Sequence, residues 1–251
     1  MATRPTNSLP HHTLILMPEL DPSVVVVLGI SFSPRQHCAT FLRFMLDTDL
    51  VSAVEKDSRS LMVVLHGLGD SIEGYRWLPP ALGLSWLNYL LVNAPDPYFG
   101  GFAWYDFSGD AGTGVERSRA LLFELLDAQR KRGWPTEQTV LFGFSQGALL
   151  TFELGLRYPH RFAGLVGISG YVHDPEQLIR EMSPAALQQR FLITHGTEDP
   201  LIPFADVREQ INLLKAEGIH IEWHEIVKAH TIAGEAELSI IRDFVCARFE
   251  R

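Results

Sequence analysis

From residue 61 onward the sequence alternates short apolar runs with longer helix-spaced stretches, and no other feature restricts the fold as much. Leu61–Leu65 (LMVVL), Tyr89–Val92, Thr139–Phe144 (TVLFGF), Phe162–Ile168 and Phe191–Thr194 read as buried strands, and the alternating run Ile219–Val227 closes the series. Helical stretches fall at Gly114–Arg132, Gln146–Tyr158, Pro175–Glu181, Phe204–Glu217 and Gly234–Arg248. Gly133 and Gly218 sit just past two of them, where a helix end favours a residue at positive φ. Strands that alternate with helices pair in parallel, and the helices must cover both faces of the sheet. The expectation is one α/β domain over residues 59–251, with a mostly parallel central sheet. A chain of 251 residues, 46% hydrophobic, is long enough to bury such a core without disulfides or metals.

Residues 1–58 read differently and are expected to form an N-terminal extension. Pro5, Pro10, Pro18, Pro22 and Pro34 interrupt them. Between the prolines lie apolar runs at His12–Met17 and Val24–Ile30, then a helix expected over Ala39–Val54, where Phe41, Phe44, Met45 and Val51 recur at helical spacing. Only Arg4 precedes Val24–Ile30 as a fixed positive charge, and Glu19 and Asp21 stand just before the run. That pattern suits a buried strand better than a secretory leader. The segment holds no chemical motif. It could supply leading strands, an extension or the arm of a homo-oligomer.

Charge and cysteine usage exclude several classes. Thirty acidic residues against 21 basic give a net charge of -9, which opposes binding to nucleic acid or anionic membrane. No run of 18 apolar residues exists, so integral membrane association is not expected. Cys38 and Cys246 form no CxxC pair, zinc pattern or disulfide framework, which fits free thiols in a reducing compartment and a cytoplasmic protein.

The chemistry begins at Gly143-Phe144-Ser145-Gln146-Gly147, a G-x-S-x-G pattern. It directly follows the Thr139 strand and directly precedes a helical run. In that setting a sharp turn holds the serine hydroxyl out at the carboxyl end of a sheet and at a helix N-terminus. A serine hydroxyl needs a base, and the base needs an orienting acid. At such turns the acid and then the histidine follow the serine along the chain. Asp199, in the loop after the Phe191 strand, is the leading acid, with Glu198 as its competitor. Among the later histidines, His220 and His224 have sheet parity inside the alternating run. His230 lies beyond it and is the favoured base, with His224 as the alternative. Upstream, the strand Leu61–Leu65 runs into His66-Gly67-Leu68-Gly69-Asp70. The Leu68 N–H from this loop and the Gln146 N–H are the expected oxyanion donors. His66 is expected to brace the loop. No ligand set has metal spacing, so neither a metal nor a cofactor is expected. Tyr75, Trp77, Phe102, Trp104 and Tyr105 are candidates for an apolar substrate pocket or, equally, for the core.

Together these residues resemble the phospholipase/carboxylesterase family of α/β-hydrolases, which includes the acyl-protein thioesterases. The resemblance covers about residues 59–250. HGLGD at 66–70 and GFSQG at 143–147 match the family's oxyanion loop and nucleophile elbow. HGTEDPLIP at 195–203 resembles its acid loop, with Ile202 in the place of Val. Ala94-Pro95 and Trp104-Tyr105-Asp106 resemble a further segment that borders the family's active site. Two departures stand out: Tyr75, followed by Trp77, replaces a tryptophan, and His230 follows Lys228-Ala229 rather than a glycine-bearing turn. The resemblance implies an α/β-hydrolase fold without a large lid. It implies a triad of Ser145, Asp199 and His230 and hydrolysis of small-molecule carboxylic esters, sometimes of thioesters or lysophospholipids. A compact pocket for short to medium acyl chains is expected from the brief connection between Ile168 and Phe191. The competing class is a noncatalytic protein on the same fold, but such proteins usually lose a triad member or the oxyanion glycines, and this chain has all of them.

Overall fold

The computed structural model describes residues 46–251. The expected runs His12–Met17 and Val24–Ile30, the first part of the Ala39–Val54 helix and Cys38 lie outside the described residues. A seven-stranded sheet in the order β1-β3-β2-β6-β7-β8-β9 organises the rest. Its strands are β1 (Thr48–Val51), β2 (Ser60–Leu65), β3 (Leu87–Val92), β6 (Thr139–Phe144), β7 (Gly164–Ile168), β8 (Arg190–Gly196) and β9 (His220–Ile226). A separate hairpin joins β4 (Asp96–Tyr98) to β5 (Gly101–Ala103). The helices are α1 (Ile72–Tyr75), α2 (Leu78–Leu82), α3 (Ala111–Lys131), α4 (Gln146–Arg157), α5 (Pro175–Arg180), α6 (Phe204–Ala216) and α7 (Gly234–Arg248). Among the described residues no helix is long and apolar enough to cross a membrane.

Within the seven-stranded sheet all neighbouring strands are parallel except β1, which runs antiparallel to β3. The central strands are apolar along most of their length because helices bury both faces. Side chains of β2 alternate accordingly. Leu61, Val63 and Leu65 join a core with Val115, Leu122 and Leu126 of α3 and Val207, Ile211 and Leu214 of α6. Met62 and Val64 join the opposite core with Leu78 and Leu82 of α2 and Leu238, Ile241 and Phe244 of α7. The spacing of the α3 residues, one or two turns apart, is the helical repeat that marked this stretch in the sequence. Asp110 caps that helix by accepting the Thr113 N–H at 3.3 Å, and Arg130 and Lys131 lie in its last turn, where cations complement the helix dipole.

One expected element is corrected. Within Ala39–Val54, residues 48–51 are a strand. Thr48 pairs with Val92 and Val51 with Tyr89, which satisfies the outer edge of β3. An unpaired edge of N–H and C=O groups outweighs weak helical spacing in a short segment. The sheet therefore recruits residues upstream of 59. Helices α1 and α2 and the β4–β5 hairpin are too short to leave a periodic signal in the sequence.

The chain moves outward from β2 to β3, then returns to the other side of β2 as β6. The strand order thus reverses between β2 and β6, where Leu65 stands opposite Gly143. Loops that leave the carboxyl ends of two such strands diverge and open a crevice.

Candidate active site

Four loops meet at this crevice. The first is the turn from β6 into α4. Ser145 has φ 53° and ψ −113°, a conformation non-glycine residues rarely adopt. Its N–H donates to the Ile168 carbonyl at 2.9 Å, which ties the turn to β7. Neighbours without Cβ make the turn sterically feasible. A Cβ at Gly143 would lie 2.2 Å from the Gly147 carbonyl oxygen, and one at Gly147 would lie 2.1 Å from that of Leu65.

The second and third loops follow β8 and β9. His230 Nε2 lies 2.9 Å from Ser145 Oγ, and its Nδ1 lies 2.7 Å from Asp199 Oδ2. Asp199 is held from behind, its Oδ1 accepting the N–H groups of Leu201 at 2.9 Å and Ile202 at 3.0 Å. Its side chain is fully buried. Burial alone would raise the Asp199 carboxyl, but hydrogen bonds from Ile202, His230 and Leu201 outweigh it and hold the group below the ordinary carboxylate value. Glu198, the competing acid, is exposed. His224 pairs with Glu222 at 2.8 Å on β9, and His220 is exposed at the start of that strand. The face of the His230 ring is covered by Phe144, 5.1 Å away between centroids.

The fourth loop, after β2, carries His66. This residue is buried, with its Nδ1 2.6 Å from the Gly67 carbonyl and its Nε2 3.1 Å from the Ala94 N–H. Those partners fit a neutral ring that donates from Nδ1 and accepts at Nε2, and burial pulls its pKa below the ordinary histidine value. The Gly69 N–H donates to Phe102 at 2.8 Å and the Asp70 N–H to Gly67 at 3.3 Å. Among the described residues no backbone carbonyl accepts the Leu68 N–H. Gln146 leads α4, and its side chain accepts the Trp104 N–H at 2.9 Å and donates to the Tyr105 carbonyl at 3.0 Å.

A cavity of about 390 Å³ opens beside His230. Tyr75, Trp77, Phe144, Ile232 and Leu238 line it, together with Asp70. Trp77 is 40% exposed, whereas the Tyr75 ring is largely buried and its phenol pKa is raised by burial. Of the two roles open to Trp104 and Tyr105, substrate pocket or core, the structure places them in the core, so they do not form the substrate pocket. Both are completely buried, and neither lines the cavity. Trp104 Nε1 donates to the His66 carbonyl at 2.9 Å, and the Tyr105 hydroxyl lies 3.1 Å from that of Tyr171. The Gln146 amide fixes their backbone, and their rings fill the core. Ile232 and Leu238 went unmarked because apolar residues around α7 look like ordinary core in the sequence.

A hydroxyl, an imidazole and a buried carboxylate joined in line can move a proton off the hydroxyl and stabilise the resulting imidazolium. Comparisons with known proteins agree with that chemistry. The model of the phospholipase/carboxylesterase family matches residues 46–248. The acyl-protein thioesterase 1 of Schizosaccharomyces pombe is 33% identical over 159 residues, which is 57% of this chain and 69% of the relative. That of Debaryomyces hansenii is 27% identical over 217 residues, or 78% of this chain and 94% of the relative. The crystal structure of esterase PE8 superposes with a TM-score of 0.70 at 28% identity, covering 81% of this chain and 99% of that one. The chain belongs to the phospholipase/carboxylesterase family and is a serine hydrolase on the α/β-hydrolase fold.

Proposed function

We propose that the protein is a carboxylesterase that hydrolyses short- to medium-chain carboxylic esters through an acyl-enzyme on Ser145. The observation that carries this reading is the linear set of contacts from Ser145 Oγ through His230 to Asp199, at 2.9 and 2.7 Å. Ser145 attacks the ester carbonyl while His230 Nε2 takes its proton. Asp199 accepts from Nδ1 and stabilises the imidazolium. The proton then passes to the departing alcohol, and water activated by the same base releases the acid. The oxyanion is held by the amides of Leu68 and Gln146. Support for that pair comes from the packing of the two loops, since a Cβ built at Gly67 would lie 3.4 Å from the Ser145 Cβ.

The preference for shorter chains is supported by the cavity volume and by the connection between β7 and β8, which holds only α5 and one short turn rather than a lid. A pocket of this size, walled by Tyr75, Trp77 and Phe144, suits a compact acyl or alcohol group. A second reading, an acyl-protein thioesterase, is favoured by the names of the two fungal relatives. A lysophospholipase is the third member of this set. A series of p-nitrophenyl esters from acetate to palmitate, with an acyl thioester and a lysophospholipid alongside, separates them. A maximum in kcat/KM at about C4 to C8 supports the carboxylesterase, and one at about C10 or longer supports the other two. The cysteine usage, with no disulfide framework in the sequence, favours a cytoplasmic site of action.

A further inference from the structure

Lys228, two residues before His230, is buried away from water. Its side chain is 2% exposed, and its Nζ donates to Glu237 Oε1 at 2.6 Å, with the Glu237 side chain 0% exposed. The same carboxylate makes two further contacts. Its Oε1 accepts the hydroxyl of Thr194 on β8, and its Oε2 accepts the Ala233 N–H at 2.6 Å. One side chain of α7 thus grips residues 228 and 233, the two ends of the segment that carries His230, and ties them to β8. The Lys228 carbonyl in turn accepts the Glu198 N–H at 3.2 Å, beside Asp199. The pair therefore reaches backbone on either side of the base and next to the acid, and hydrogen-bonds to neither of their side chains.

Stability alone is a poor reason to keep such a pair. Two charges lose their hydration on burial, and well-packed apolar residues in their place are often as stable or more so. Burial pulls the Lys228 ammonium below the ordinary lysine value, and only Glu237, with a smaller contribution from Asp199, opposes it. What the pair supplies and an apolar contact does not is direction, because a charged hydrogen bond fixes the position of its donor to a fraction of an ångström.

We propose that the Lys228–Glu237 pair is a positioning device for the catalytic base, setting His230 between Ser145 Oγ and Asp199 Oδ2. It deepens the function proposed above and rests on His230 being the base. Tyr75, Trp77 and Phe144 of the cavity lining belong to other elements, whereas Ile232 and Leu238 lie on the segment and helix that the pair holds, so kcat at saturating ester is the reading that reports a misplaced imidazole.

Three variants test this against a structural role, with kcat, KM and Tm measured for each and active sites counted with a fluorophosphonate probe. Lys228→Met/Glu237→Gln removes both charges, while the glutamine keeps an acceptor for the Ala233 N–H. Thr194→Val removes one contact to Glu237 and leaves both charges. His230→Ala is the control. For the double variant the expected result is a Tm near wild type with kcat at saturating ester lowered about 10- to 100-fold and a smaller change in KM. Thr194→Val should show a smaller fall in kcat, again larger than its change in KM, and it carries the test if the double variant does not fold. Wild-type kcat in Thr194→Val and the double variant, or losses that simply follow Tm, overturn the proposal. An inactive His230→Ala protein beside a fully active double variant defeats the positioning role alone. A fully active His230→Ala protein defeats the assignment of the base.

Discussion

The Gly147 Cα sits so close to β2 that a Cβ built on it would lie 2.1 Å from the Leu65 carbonyl oxygen. Main chain meets main chain there, so neither side can yield by rotating a side chain. Gly147→Ala should cost about 1–3 kcal/mol of stability by overpacking. It should also lower kcat, because the displaced turn carries Ser145. Urea unfolding and hydrolysis of p-nitrophenyl acetate measure the two effects, and wild-type values for both would show that the contact is soft.

Ser145 is held at φ 53° and ψ −113°, which is strained for any residue with a Cβ. Ser145→Ala and Ser145→Gly should each remove nearly all hydrolysis, by about 10⁶-fold if the triad acts as a unit. The glycine variant should be the more stable of the two by about 1 kcal/mol, since it relieves the strain. A folded Ser145→Ala protein that keeps more than about a tenth of wild-type kcat would place the nucleophile elsewhere.

His230→Ala should be about as damaging as loss of Ser145, because single losses within a triad resemble one another. His224→Ala should be mild, since its ring pairs with Glu222 on β9 rather than with Ser145. The opposite ranking of kcat values would move the base to His224.

Asp199 makes a stability prediction through pH. Its carboxyl is held below the ordinary value of 3.8 in the folded protein. A lowered folded pKa contributes stability that is complete above the unfolded value and is lost as pH falls through the folded one. The Tm gap between wild type and Asp199→Asn should therefore narrow as pH falls below about 4. A gap that does not narrow there would contradict the hydrogen bonding seen at Asp199.

Trp77 is the exposed aromatic of the cavity lining. Trp77→Ala should lower kcat/KM for a butyrate or hexanoate ester by about 5- to 100-fold, the range for one apolar contact in a pocket. Acetate should be affected less, because it reaches less of the wall. Equal losses for all chain lengths would mean that Trp77 supports the fold rather than the substrate.

Much of the fold was readable because its strands are buried on both faces. Continuous apolar runs such as Leu61–Leu65 and Thr139–Phe144 leave a strong local signal, and the amphipathic spacing of α3 and α6 does the same. Residues 48–51 misled because four residues carry little periodic information, and the edge of β3 that they pair with lies about forty residues away in sequence.

Short-range chemistry was determined by the sequence alone: the glycines around Ser145, the acid in a loop after one strand, and a histidine after the next. That Ser145, Asp199 and His230 come within hydrogen-bond reach was decided by the sheet, which sets the carboxyl ends of β6, β8 and β9 at one crevice. The aromatic residues show the same division. Tyr75, Trp77, Trp104 and Tyr105 are all aromatic, yet the first two line a cavity and the last two are buried in the core. Local sequence cannot separate them, because burial depends on which face of which neighbour a side chain meets. The Lys228–Glu237 pair is the extreme case. A lysine in a loop and a glutamate on the following helix look like solvated surface charges, and only tertiary packing removes the water that would keep them apart.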